Sequence, residues 1–325
     1  MLPVAEITGL SVAYRSGDAK VQALDGVDLA VAAGENVGIV GESGSGKSTL
    51  GMALGRLLAT SAVIESGDVR IEGRSLLDLP PAELRRVRRD RLGFVYQNPM
   101  SALDPTLRIG RQLSLVLGAG APAEAVEALL ARVGLTQPAR VARSFPHELS
   151  GGMAQRVVIA LAIARAPAVL IADEPTASLD ATLKGVILDL LDALRESTGA
   201  SLVLLSHDLR SVARRCARVA VMYGGRIVEE GASALVFSAP RHPYTRALLR
   251  AAAGQERPGQ LLEPIAGVPP VLHAPARHCA YAARCDRARA RCHEERPAER
   301  PVDGRTVACH YAEEERPVAV AASPT

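Results

Sequence analysis

An α/β fold built on a largely parallel sheet is predicted by three features of this 325-residue sequence. Compact apolar runs read as strands: NVGIV (36–40), AVLIAD (168–173), SLVLLSH (201–207) and ARVAVMY (217–223). Helical stretches separate them, with TLKGVILDLLDALRES (182–197) the longest. A glycine-rich turn carries the first run straight into a helix, in GESGSGKSTLGMALGRLL. Strands alternating with helices favour parallel pairing.

The elements follow in order. EITGLSVAY and LDGVDLAV, within the first 30 residues or so, alternate apolar and polar positions and predict short strands. PAELRRVRRDR predicts a charged helix and LGFVYQ a strand after it. Residues 99–166 read as mostly helical, AEAVEALLARVGL being the clearest amphipathic segment. After about residue 237 prolines, arginines and cysteines accumulate and the apolar periodicity fades. This places a small appended domain at 238–325, with a disordered tail from about 312. No internal repeat is evident.

Composition narrows the class. Hydrophobic residues at 48% and charged residues at 22% are those of a globular protein, and a net charge of +3 is too small to argue for a nucleic-acid or membrane surface. Of the 38 basic residues only Lys20, Lys47 and Lys184 are lysines, a GC-rich codon bias rather than a function. No secretory signal opens the sequence, and no window approaches the roughly 18–20 apolar residues of a membrane span. The expected compartment is the cytoplasm, where stable disulfides are rare.

Residues 41–48, GESGSGKS, fit G-x-x-x-x-G-K-[ST] between a strand and a helix, the context that this motif needs. Backbone N–H groups of Gly41, Glu42, Ser43, Gly44, Ser45 and Gly46 would wrap a phosphate chain, assisted by the helix N-terminus. Lys47 would reach the β- and γ-phosphates, and the Ser48 hydroxyl Mg²⁺. A glycine-rich turn with a surface lysine is the plain alternative. In VLIADEP, Asp173 at a strand tip can hold Mg²⁺ through water and Glu174 can polarise an attacking water; otherwise such acids cap the next helix. In ELSGGMAQR, Ser150, Gly151 and Gly152 open a helix and form a second anion site. Two anion sites suit two chains arranged head to tail, each ATP lying between one chain's loop and the other's Ser-Gly-Gly.

Over roughly residues 4–237 these motifs resemble the ATP-binding-cassette (ABC) transporter ATPases. The resemblance implies a P-loop core with an N-terminal antiparallel β subdomain and a helical signature subdomain at 98–166. It also implies a role for each matching residue. Tyr14 would stack on adenine beside the loop that runs to Thr49, and Gln97 in VYQNP would sense Mg²⁺ and the membrane subunits. LSGGM would be the signature, Asp180 in ASLD the loop crossing the dimer, and His207 in LLSHD the γ-phosphate contact. Met153 stands where glutamine is commoner. Glu174 and His207 are both kept, so the hydrolytic site is complete on this side.

RHPYTRALL (241–249), IAGVPP (265–270) and the cysteines after them resemble the C-terminal extension of oligopeptide and dipeptide importer ATPases, in wording closer to the D-type than the F-type subunit. Four of the five cysteines lie there, spaced Cys279-x₅-Cys285-x₆-Cys292-x₁₆-Cys309. That spacing lacks the close knuckles of zinc ribbons and differs from common ferredoxin patterns. The resemblance implies a [4Fe–4S] cluster; zinc, free thiols and disulfides are the alternatives. His278, His293 and His310 sit beside cysteines as substitute ligands. Cys216 reads as an inert buried thiol at a helix end.

The expected function is ATP hydrolysis energising a multi-subunit peptide importer, with ATP and Mg²⁺ as cofactors. Expected partners are two polytopic permease subunits, an F-type second ATPase in a heterodimer and, indirectly, an extracytoplasmic binding protein, with the chain peripheral on the cytoplasmic face of the inner membrane. Nickel or an opine is the alternative cargo. A soluble ABC ATPase acting on nucleic acid or ribosomes is the rival from another class; it would carry two cassettes or long coiled-coil inserts, and neither is present.

Overall fold

The computed structural model describes residues 2–17, 19–118, 120–254 and 264–314. Its strands are β1 (Ala5–Ser16), β2 (Ala19–Val31), β3 (Asn36–Val40), β4 (Ala62–Ile71), β5 (Arg74–Ser75), β6 (Leu92–Val95), β7 (Val169–Asp173), β8 (Ser201–Ser206), β9 (Arg218–Tyr223), β10 (Arg226–Ala232), β11 (Arg300–Val302) and β12 (Arg305–Val307). The helices from the start to the middle of the chain are α1 (Lys47–Leu54), α2 (Pro81–Arg91), α3 (Pro99–Ala102), α4 (Ile109–Leu117), α5 (Ala123–Arg132), α6 (Pro138–Arg143) and α7 (Gly151–Ile163). After them come α8 (Ala181–Thr198), α9 (Leu209–Arg215), α10 (Ser233–Ser238), α11 (Pro243–Gly254) and α12 (Ala290–Glu294). None of the described helices is long and apolar enough to cross a membrane.

Two sheets result. One has the order β2-β1-β4-β5, the other β11-β12-β10-β9-β3-β8-β7-β6. β1 and β2 are longer than the short strands expected; two residues join them, so they run antiparallel. In the large sheet β3 pairs parallel with β9 and β6 with β7, whereas β10 runs antiparallel to β9. β7 and β8 are buried at every residue, as strands covered on both faces must be.

By contacts the chain divides into two units whose segments alternate along the sequence. The first contains residues 1–5, 31–35 and 71–203. It is mainly helical, prolines and glycines breaking 99–163 into α3 to α7. α7 presents buried residues from Ala154 to Ile163. The second contains 6–30, 36–70 and 204–325. It includes α1, the C-terminal part of the sequence and the strands β9 to β12.

Three expectations change here. β6 ends at Val95, before Gln97, because Asn98 caps α3 by accepting the Met100 N–H (3.0 Å) and Pro99 begins that helix. β11 and β12 extend the large sheet by pairing β12 with β10, so the C-terminal part contributes strands instead of packing wholly on its own. Their hairpin is closed by Asp303 and Gly304, with φ of 46° and 75°, the Asp-Gly loop that suits a two-residue turn. Residues 312–314 of the expected disordered tail form a 3-10 turn; 315–325 lie outside the described residues.

β10 carries a carboxylate into this core. Glu229 is fully buried, accepts the backbone N–H groups of Arg241 (2.8 Å) and His242 (2.9 Å), and faces the buried Arg305 of β12 at 3.5 Å. Burial pushes its carboxyl up, and these donors and the guanidinium oppose that shift. Arg305 also donates to the Leu235 and Ala239 carbonyls. Arg305→Ala is expected to lower the free energy of urea unfolding by about 3–5 kcal/mol, because Glu229 loses its counter-charge while staying buried. At the exposed Arg291–Glu295 pair, Arg291→Ala should leave the unfolding curve in place.

Candidate functional site

In the second unit, β3 delivers the chain to the glycine-rich loop, and α1 begins at Lys47. A Cβ on Gly41 would stand 2.3 Å from the Met222 carbonyl oxygen. Gly46 has a φ of 104°, and a Cβ there would lie 2.6 Å from the Ala23 oxygen. Neither position admits a side chain, so the loop can fold tightly against β9 and β2. Gly46 is the helix N-cap and brings no side chain to the first N–H groups of α1, which an α-helix cannot satisfy internally. That end carries positive partial charge.

Lys47 is 7% exposed, and its ammonium donates to the carbonyls of Gly41 (2.7 Å) and Glu42 (2.9 Å). The Ser45 hydroxyl is buried with no hydrogen-bond partner among the described residues, which fits a loop shaped for polar atoms of a ligand. Ser43, Gly44 and Ser48 are exposed. Tyr14 on β1 is half-buried, and its hydroxyl lies 3.3 Å from the Thr49 hydroxyl on α1, so the two are brought together. His207 is the exposed residue just past β8, followed by Asp208, which caps α9 through the N–H groups of Arg210 (3.1 Å) and Ser211 (3.2 Å).

The first unit holds the other motif residues. Gln97 is exposed in the bend between β6 and α3. Asp173 closes β7 and is 8% exposed. Glu174 follows with a φ of 47°, a left-handed conformation that costs a non-glycine residue about 1–3 kcal/mol and tends to mark functional positions. Ser150 is the N-cap of α7, its hydroxyl accepting the Met153 N–H at 3.3 Å, and Gly151 and Gly152 open the helix as expected. Asp180 caps α8, its Oδ1 accepting the Leu183 N–H at 2.9 Å. A Cβ on Gly152 would meet Leu183 at 3.2 Å, so the starts of α7 and α8 lie together.

The cysteine segment belongs to the second unit. Cys279, Cys285, Cys292 and Cys309 line one cavity, together with His242 and Tyr281. The Cys279 N–H donates to the Cys292 carbonyl at 3.0 Å, tying the first cysteine to the third. No disulfide forms among the described residues. Nor do three or more Cys, His, Asp or Glu side chains among them form a group that could hold a metal ion. Burial pushes the Cys279 thiol up to about 11 and raises Cys285 and Cys309, neighbouring thiols adding to the effect. Of the three neighbouring histidines only His310 lines the cavity. Cys216 is buried at the end of α9, as expected.

Two contacts on the glycine-rich loop escape the motifs. The buried Tyr244 hydroxyl accepts the Glu42 N–H at 2.8 Å. Arg284, one residue before Cys285, grips the Glu42 carboxylate with Nη1 (2.7 Å) and Nη2 (3.1 Å). RHPYTRALL flags the region of Tyr244 but not its hydroxyl, and no local signal pairs residue 42 with residue 284.

Comparison with known proteins matches residues 24–177 to the ABC transporter family and 228–292 to the oligopeptide/dipeptide transporter C-terminal region. A probable peptide ABC transporter ATP-binding protein (y4tR) of Sinorhizobium fredii is 39% identical over 318 residues, covering 95% of each chain. The oligopeptide transport ATP-binding protein OppD of Bacillus subtilis is 41% identical over 288 residues, 86% of this chain and 80% of that protein. Among solved structures, the dimeric post-hydrolysis ATP-binding cassette MJ0796 bound to ADP and phosphate superimposes with a TM-score of 0.63 at 32% identity, over 70% of this chain and 98% of that one. With residues 41–48 and α7 inside the first matched span and 228–292 forming the second, this chain belongs to the peptide-importer family of ABC transporter ATP-binding subunits.

Proposed function

We propose that this chain binds and hydrolyses ATP to energise a di- or oligopeptide importer. The observation that carries this reading is similarity to peptide-transport ATP-binding proteins running through both the cassette and the C-terminal region. Two polytopic permease subunits would hold it at the cytoplasmic face of the inner membrane. An F-type ATPase would pair with it, and an extracytoplasmic binding protein would deliver the peptide to the permeases.

In this reading the backbone of residues 41–46 and the N-terminus of α1 hold the phosphates. Lys47, placed by the carbonyls of Gly41 and Glu42, adds a charged phosphate oxygen, the stronger partner, to those neutral acceptors. Ser48, Gln97 and Asp173 would hold Mg²⁺, which supplies neutralisation of phosphate charge when bound. Glu174 orients a water and draws off its proton as the water oxygen attacks the γ-phosphorus; the bond to the bridging oxygen breaks and ADP leaves. His207 steadies the γ-phosphate oxygens, Tyr14 packs on the adenine, and Ser150, Gly151, Gly152 and Asp180 serve the partner's nucleotide across the dimer. ATP binding then closes the dimer, and hydrolysis reopens it.

Glu174→Gln is expected to cut phosphate release about 10²–10⁴-fold, the usual worth of a positioned general base, while ATP-dependent dimerisation persists. Retained turnover in that variant sinks the assignment. Co-purification with two polytopic membrane proteins is expected from native membranes.

We also propose a [4Fe–4S] cluster on Cys279, Cys285, Cys292 and Cys309, supported by four thiols lining one cavity. The four thiols would hold the cluster as thiolates, so binding it would release their protons. Anaerobically purified protein should be brown, with about four irons and four sulfides per chain. Colourless protein with neither iron nor sulfide overturns the cluster and leaves the ATPase reading intact.

A further inference from the structure

Glu42 is held from three directions, all within the second unit. Its N–H donates to Tyr244, its carboxylate takes the fork of Arg284, and its carbonyl accepts Lys47. The Arg284 side chain is 4% exposed. Its remaining donors go to the carbonyls of Ala266 (2.8 Å) and Ile265 (3.2 Å) and to the Tyr223 hydroxyl (3.3 Å). Tyr223, Tyr244 and Tyr281 pack with ring centroids 4.5–5.4 Å apart, and Tyr281 lines the cysteine cavity. A continuous run of contacts thus joins that cavity to the loop.

We propose that Arg284 and Tyr244 are positioning residues for ATP: by clamping Glu42 they fix the carbonyl on which Lys47 rests, and so present the loop ready for phosphate. This rests on residues 41–48 being the nucleotide site. Two physical effects combine. A loop rich in glycine has many conformations to lose, and an outside clamp removes part of that cost before the ligand arrives. Arg284 also neutralises a carboxylate that would otherwise repel a triphosphate bound at the same loop.

The experiment is titration of the full-length protein with Mg·ATP by calorimetry. Arg284→Ala is expected to weaken binding about tenfold, the factor set by losing a charge-assisted pair. Tyr244→Phe keeps the buried ring and removes only the hydroxyl, and is expected to weaken it about fivefold. Arg284→Lys, which keeps the charge but not the fork, should fall between Arg284→Ala and the unaltered protein. Glu42→Gln combined with Arg284→Ala should bind no worse than the weaker single variant, since both cut one interaction. In the assembled transporter the KM for ATP should rise while kcat holds, with Tm unchanged in Tyr244→Phe. Unchanged affinity in both Arg284→Ala and Tyr244→Phe overturns the proposal. So does a loss that tracks a fall in Tm and is absent from Arg284→Lys and Tyr244→Phe, which would make the contacts structural only. Lys47→Ala serves as the separate control: if ATP binds that variant as tightly as the unaltered protein, the phosphate-loop reading itself fails.

Discussion

Uninterrupted burial of β7 and β8, and of all but the first residue of β3, is the constraint on which the remaining structure depends. A strand buried on both faces has no water for its N–H and C=O groups, so every one must pair within the sheet. The ladder can end only where the chain reaches a tight turn or a helix. Gly41, Asp173 and His207 stand at those exits: the first beyond β3, the last residue of β7 and the first beyond β8. The residues proposed above for phosphate and Mg²⁺ chemistry therefore sit at strand ends, where the ladder gives way to turns.

Burial pattern also explains what could be read from the sequence. NVGIV and SLVLLS read as strands, and GESGSGKS as a glycine-rich turn between strand and helix, because each is defined by neighbours in the chain. LGFVYQ reads two residues longer than β6 because Tyr96 continues the run, and only the Asn98 cap with Pro99 reveals the stop. β11 and β12 are three residues each, too short for periodicity, although Asp303-Gly304 between them is a hairpin signal. Arg284 and Glu42 are 242 residues apart, and nothing local in either names the other.

The long-range polar contacts of the second unit share a pattern. Asp25 of β2 is 3% exposed and takes two bonds from Arg296 (2.9 and 3.0 Å) and one from the Ala276 N–H (3.1 Å). The Gln22 N–H donates to the Leu272 carbonyl at 2.7 Å, and Glu229 meets Arg305. Each links the chain before residue 230 to the segment after 264. Charged groups removed from water must be paired with good geometry, and wrong partners are costly, so such contacts specify one docking of the segment where apolar packing would tolerate several. A segment poor in apolar periodicity can be ordered in this way, with arginine supplying the fork that reads a carboxylate.

The strands that the C-terminal part adds also decide how the large sheet ends. Without them β10, seven residues long, would present a bare row of donors and acceptors along its outer side. β12 pairs with the middle of that row, at Glu229 and Glu230, and β11 becomes the border beyond it, three residues long with Pro301 at its centre. Proline has no N–H to offer and disrupts further pairing. A short, proline-blunted border is a poor template for a strand from another molecule, so the same residues that finish this sheet protect the protein from aggregating edge to edge.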